Sequence, residues 1–189
     1  FSIKALDAIG NASGAKTTRF RVLAPLATKI NLYSGWNLFS VHDNLTDSSI
    51  DGVFSGLDID LVMTYDQDSG WVTATKDPAT GKYVGNLTTI QTGKGYFAHA
   101  NSPALLSILT ATRAPTDLPP SIGVSSGWNL VGYTSLPKVN DLKVSQYLFG
   151  VKWVSLYSFN PDPAVAYQYA KPSAGGAGSH TAATGSASF

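Results

Sequence analysis

The chain has 189 residues, a formal net charge of +1 and only 13% charged residues, so it offers no electrostatic case for binding nucleic acid or an anionic membrane. It has no cysteine, which excludes a disulfide framework, a thiolate metal site and cysteine catalysis. Its 43% of hydrophobic residues is enough for a packed core, yet no run approaches the roughly 18 apolar residues of a membrane-spanning helix.

Phe1 to Val22 reads as two strands around a turn. Phe1, Ile3 and Ala5 alternate with Ser2, Lys4 and Leu6, Asp7-Ala8-Ile9-Gly10-Asn11 supplies turn chemistry, and Thr17 to Val22 alternates again. Leu23-Ala24-Pro25-Leu26 follows as a linker. Ile30-Asn31-Leu32 leads into a strand from Gly35 to Val41, with Trp36, Leu38 and Ser40 on one side and Asn37, Phe39 and Val41 on the other. Thr46 to Phe54 predicts a short helix. Thr46 or Asp47 is its N-cap, Ile50, Val53 and Phe54 form its buried face, and Gly56 ends it. Leu61 to Tyr65 is a strand, residues 66–70 a turn, and Trp71 to Thr75 the return strand. Asp77-Pro78-Ala79-Thr80-Gly81 is a second turn, Tyr96 to Ala100 is the strand that closes the sheet, and Leu105 to Leu109 ends this unit.

A proline-bearing connector with Pro115, Pro119 and Pro120 comes next. Beyond it the word Ser34-Gly35-Trp36-Asn37-Leu38 returns as Ser126-Gly127-Trp128-Asn129-Leu130. The same shift carries Tyr65 onto Tyr157 and Phe97 onto Phe189 without a gap, which points to a duplicated module of about ninety residues. In the second copy a strand is expected from Trp128 to Tyr133, a helix from Asn140 to Phe149, and strands at Trp153 to Phe159 and Tyr167 to Tyr169. Ala174 to Ser188 is small-residue sequence without periodicity, and Ala98 to Ala111 has no counterpart. Because Trp36 and Trp128 recur with the repeat, both are expected to be buried core anchors in superposable modules.

The first 22 residues resemble the last hairpin of immunoglobulin-like domains in bacterial and archaeal surface proteins, through an alternating strand, Asp-Ala-x-Gly-Asn and a second strand. Gly35 to Leu38, Val62 to Trp71 and Thr92 to Phe97 resemble the Gly-Trp-Asn-Leu and Gly-Lys-Gly-Tyr words of a repeat module in large secreted and surface proteins of the same organisms. The second copy departs from it at Gly185-Ser186-Ala187-Ser188 and at Pro163, which stands where the first has Trp71. The resemblance implies a structural or accessory role with no catalytic set to transfer. It also implies that the earlier strands of the immunoglobulin-like domain lie outside this chain.

Candidate chemistry is sparse. Gly123-Val124-Ser125-Ser126-Gly127 spells the nucleophile-elbow pattern, but a strand follows where the elbow needs a helix. His42, His99 and His180 stand far apart without a second histidine at metal-ligand spacing. Asp58, Asp60, Asp66 and Asp68 are denser, yet lack the ligand order of a calcium loop, and their second-copy counterparts are Gly150, Lys152, Ser158 and Asn160. Gly93-Lys94-Gly95 lacks the remaining residues of a phosphate loop and reads as a turn. Trp71, absent from the second copy, is the aromatic best placed to stack on a sugar ring. Asn11, Asn44 and Asn86 open N-glycosylation sequons at or beside expected turns.

The expected fold is all-β: tandem β modules in two copies with a short helix in each, plus a terminal hairpin from an immunoglobulin-like sandwich. The boundaries are residues 1–24 for the hairpin, 28–112 for copy one and 120–189 for an incomplete copy two. The low-charge surface rich in Thr, Ser, Gly and Tyr points outside the cell. The expected function is a non-enzymatic structural component of an extracellular surface layer, stalk or filament. Its expected partners are itself or neighbouring domains of a longer chain, with no cofactor, no nucleic acid and no membrane insertion. The alternatives are a carbohydrate- or protein-binding adhesion module, or a non-catalytic appendage of a secreted hydrolase. The hairpin of Phe1 to Val22, short of a sandwich, is expected to pair with copy two or with a neighbouring subunit.

Overall fold

The computed structural model describes residues 2–3, 16–17, 26–111, 121–132, 134, 147–159, 168–170 and 183–184. Two short N-terminal strands, β1 (Ser2–Ile3) and β2 (Lys16–Thr17), pair antiparallel with each other. They are followed by β3 (Leu26–Leu32), β4 (Gly35–Ser40), helix α1 (Ile50–Val53), β5 (Ile59–Asp66), β6 (Gly70–Lys76), β7 (Tyr83–Gly85), β8 (Gly95–Ala100) and β9 (Ala104–Thr110). Towards the C-terminus stand β10 (Leu156–Ser158), β11 (Gln168–Ala170) and β12 (Ala183–Thr184), which form a three-stranded antiparallel sheet. Among the described residues the chain is mostly β, with the short helix α1 and a helical residue at Tyr147; of the helix expected from Asn140 to Phe149, residues 140–146 lie outside the described residues. No helix among them is long and apolar enough to cross a membrane.

The main body has a five-stranded antiparallel sheet in the order β4-β8-β5-β6-β7 and a two-stranded ribbon of β3 and β9. One face of the sheet supplies Phe39, Ile59, Val62, Ala74, Tyr96, Ala98 and Ala100 to a core that also takes Leu32, Leu106 and Ile108 from the ribbon. Val41 just past β4, Ile50, Val53 and Phe54 of the helical turn, and Leu87 and Ile90 of the loop after β7 complete it. Phe39 stacks on Tyr96 with ring centroids 5.6 Å apart and meets Phe54 edge-on at 5.9 Å. Each such fully buried ring is worth about 1.5–3 kcal/mol over its exposed state.

The helix is a single turn, Ile50–Val53, shorter than the expected Thr46 to Phe54, and its cap differs. Ser49, not Thr46 or Asp47, is the N-cap, and its hydroxyl accepts the Gly52 N–H at 3.1 Å. Asp47 instead receives the N–H and hydroxyl of Ser49, at 2.9 and 2.7 Å, and so buttresses the cap from outside. Strand β3 begins at Leu26, inside the segment expected to be linker, because seven consecutive residues of β9 are there to pair with it. Strand β8 sits between β4 and β5 rather than at an edge.

The expectation that Trp36 and Trp128 are buried anchors is overturned. Trp36 is 39% exposed and Trp128 is 65% exposed, whereas Asn37 is 1% exposed. Alternation in β4 separates the two faces correctly, but the polar residue points inward. Asn37 Oδ1 accepts the Tyr33 N–H at 2.8 Å, and Nδ2 donates to the carbonyls of Tyr33 and Gly35 at 2.8 and 2.9 Å. These three bonds satisfy the amide and set the phase of the strand, so Trp36 faces out.

Asn129 repeats the arrangement, accepting from Ser125 N–H at 3.0 Å and donating to the carbonyls of Ser125 and Gly127 at 2.8 and 3.1 Å. Gly35 and Gly127 both adopt positive φ, 90° and 99°, a backbone state that only glycine enters cheaply. The repeated word therefore encodes one hydrogen-bonded turn, used twice. The segment beyond Asn129 leans on the first unit. Gly95 N–H donates to Leu130 O at 3.2 Å, Gly132 N–H donates to Gly93 O at 2.8 Å, and Lys94 and Val131 form an antiparallel bridge.

Candidate functional site

The face of the five-stranded sheet turned away from the core carries a row of rings. Cross-strand register brings Trp36 of β4 opposite His99 of β8, Phe97 opposite Met63 of β5, and Tyr65 opposite Trp71 of β6. Trp36 contacts His99 and Phe97 edge-on, at 5.1 and 6.4 Å between centroids. Phe97 meets Trp71 at 6.2 Å, and Trp71 meets Tyr65 edge-on at 5.5 Å. Phe159, just past β10, lies against Phe97 at 6.4 Å. Trp71 is 51% exposed, the most open of the row. Exposed rings of this kind can stack on sugars or on other side chains. Trp71 was visible in sequence because the repeat does without it. Trp36, Tyr65 and Phe97 were not, although their positions at alternate places on neighbouring strands carry the signal.

The four aspartates do not converge. Asp58 accepts the side-chain amide of Asn101 at 3.0 Å, and Asp60 lies 2.8 Å from His99 Nδ1, both at one end of β5. Asp66 is at the other end, where it closes the β5–β6 turn. It accepts the backbone N–H of Ser69 at 3.2 Å, the Ser69 hydroxyl at 3.0 Å and the Asp68 N–H at 3.1 Å. Those donors, the Ser69 N–H foremost, hold its carboxyl below the usual range, and Lys94 at 3.5 Å adds to the effect. No group of three or more His, Asp or Glu that could hold a metal ion occurs among the described residues.

His42 stands 3.3 Å from Asp43, His99 pairs with Asp60, and His180 lies outside the described residues. Ser125 of the Gly-x-Ser-x-Gly word occupies the place of Tyr33 in the repeated turn, where its N–H is held by Asn129. Of the glycosylation candidates, Asn11 lies outside the described residues, and Asn44 and Asn86 are exposed. Asn86 Oδ1 accepts the Thr73 N–H at 2.7 Å. Asn44 Oδ1 accepts the Thr92 hydroxyl at 3.3 Å.

Beside Asn86 is a recess of about 230 Å³. Its wall includes Asn86, Thr88, Thr89, Gln91, Ser69 and the Asp66–Lys94 pair. The loop that forms it is fixed by backbone bonds from Ile50 N–H to Thr88 O at 3.0 Å and from Ile90 N–H to Ser48 O at 2.8 Å. The Gln91 N–H donates to the Tyr96 hydroxyl at 2.7 Å, which ties the loop to the core.

No family model, curated protein or solved structure matches this chain.

Proposed function

We infer that the chain is a non-enzymatic structural component of an extracellular surface layer, stalk or filament, built from tandem β modules behind the end of an immunoglobulin-like domain. The observation that supports this reading most directly is the coupling of successive segments. Residues 130–132 bond to Gly93 and Gly95 through the main chain, and Phe159 rests on Phe97. Backbone pairing between consecutive units transmits force along a chain. It suits a protein that spans distance better than one that turns over a substrate. Self-association or neighbouring domains of a longer chain are the partners this reading implies. The test is location: antibody labelling and protease shaving of intact source cells should find the protein at the surface, and recovery in the cytosol alone overturns the reading.

The outer aromatic row favours a second reading, a carbohydrate- or protein-binding adhesion module. Trp71 and Trp36 are the exposed members and flank Phe97. A polysaccharide ligand should shift tryptophan emission and lose affinity in Trp71→Ala. A panel of glycans that leaves emission unchanged removes the carbohydrate half of this reading, and a surface-protein pull-down unaffected by Trp71→Ala removes the other.

A further inference from the structure

We propose that Asn86 carries an N-linked glycan whose first sugar is seated in the hydroxyl-lined recess beside it. Three observations converge. Asn86-Leu87-Thr88 is a sequon, and Asn86 is exposed while Leu87 is anchored at 7% exposure in the core. The fold commits Oδ1 of Asn86 to the Thr73 N–H at 2.7 Å, and glycosylation uses the other end of the amide. The linkage keeps the carbonyl oxygen, so the bond to Thr73 survives the modification. The recess then lies at the point of attachment, with Asn86 itself in its wall.

Its size and chemistry suit one sugar. A volume of about 230 Å³ is below the roughly 300–1,000 Å³ typical of pockets that enclose drug-sized ligands. Thr88, Thr89, Ser69 and Gln91 offer hydroxyl and amide groups, and the Asp66–Lys94 pair offers a charged acceptor and donor, the complement of a polyol with an amide substituent. The loop is held in place before any sugar arrives, so seating it costs little ordering. Asn44 is also exposed, but it is not part of this wall, and the hydroxyl of its sequon threonine, Thr46, donates to Leu109 O at 3.1 Å.

The chemistry balances. The Nδ2 of Asn86 attacks the anomeric carbon of a lipid-carried oligosaccharyl phosphate under an oligosaccharyltransferase. A nitrogen–carbon bond forms, the carbon–oxygen bond to phosphate breaks, the amide loses one proton and the lipid phosphate departs.

The test secretes the full chain from an N-glycosylating host and also makes it in bacteria without glycans. Mass spectrometry of glycopeptides should find Asn86 occupied. The glycosylated chain should melt about 2–4 °C above the bare chain, the shift expected for about 1 kcal/mol in a protein of this size. Trimming to a single sugar should keep that gain, because only the first sugar is seated. Thr88→Ala blocks attachment but keeps the Asn86–Thr73 bond, so it should abolish the difference between hosts. Thr89→Val should reduce the gain in the glycosylated form and leave the bare form unchanged. A folded, secreted chain with Asn86 unmodified overturns the proposal, as does an occupied Asn86 with no melting difference between glycosylated and bare chains. Natural occupancy rests on the extracellular reading above. Because the host supplies the machinery, failure here leaves that reading standing, whereas a cytosolic location in source cells removes natural occupancy of Asn86 while the host experiment still reads the fit of the first sugar.

Discussion

Asn37 shows how one side chain decides the orientation of a strand. Its amide is buried, and all its bonds run to the turn just before it, so replacing it orphans the Tyr33 N–H. Asn37→Ala should lower stability by about 1–3 kcal/mol, seen as a lower urea midpoint at unchanged slope. Asn37→Asp should not rescue it, since a carboxylate cannot donate to the Tyr33 and Gly35 carbonyls. Tyr83 gives a pH signature. Its hydroxyl donates to Ile59 O at 2.7 Å, and burial first, then Asp51, Asp60 and Asp58, push its phenol well above the ordinary 10.0. The unfolded phenol ionises first, so the stabilisation is complete below pH 10.0 and is lost as pH rises through the higher folded value. Denaturant melts from pH 9 upward should therefore show a loss of stability that Tyr83→Phe flattens. The turn carboxylates act in the opposite sense. Asp47, Asp66 and Asp77 are held below 3.8 by neighbouring N–H and hydroxyl donors, so their contribution is present above that value and fades as pH falls through the lower folded one.

At the level of elements, the sequence located β5, β6 and β8, and the turns at residues 66–70 and 77–81 fell where Asp and Gly placed them, while β9 stands where only the end of the unit was expected. A two-residue period says which side chains share a face, but not which face is buried. Across β4 and Val41 each face carries two apolar residues, so a count does not choose between them, and the bonds of Asn37 go with burial of Phe39 and Val41. For the same reason Trp71 was legible as an open ring, while the row joining it to Trp36 needed the pairing of four strands. The helix cap was misjudged by two or three residues because Thr46, Asp47 and Ser49 all have capping side chains, and only the geometry selects Ser49. Edge strand β7 depends on a glycine. Gly85 has φ +143°, and a Cβ added there would lie 2.2 Å from Thr73 O. Gly85→Ala should detach β7 from β6 and cost about 1–3 kcal/mol of local backbone strain. Hydrogen exchange at Tyr83 to Gly85 should accelerate while β5 and β8 stay protected.

Across the whole molecule, the described residues hold one well-packed body and a second part that leans on it through few bonds. Gly132 is the tightest point of that contact, since a Cβ there would meet the Ser40 Cβ at 2.4 Å and the Lys94 O at 2.9 Å. Gly132→Val should release residues 130–132 from Gly93–Gly95 without disturbing the core, so calorimetry should keep the main transition while protease cuts beyond residue 111 more readily. Within the N-terminal segment β1 bonds to β2, the hairpin expected there; its pairing with copy two or a neighbouring subunit is a matter for the assembled protein. The outer ring row has an optical consequence. Trp36, Phe97, Trp71 and Tyr65 are coupled chromophores held at interplanar angles of 87°, 56° and 75° in turn, so their transitions mix into a chiral array. Near-ultraviolet circular dichroism should therefore be strong in the folded protein and weaken in Phe97→Leu, which removes the bridging ring, keeps the strand and leaves Trp71–Tyr65 as a coupled pair separate from Trp36.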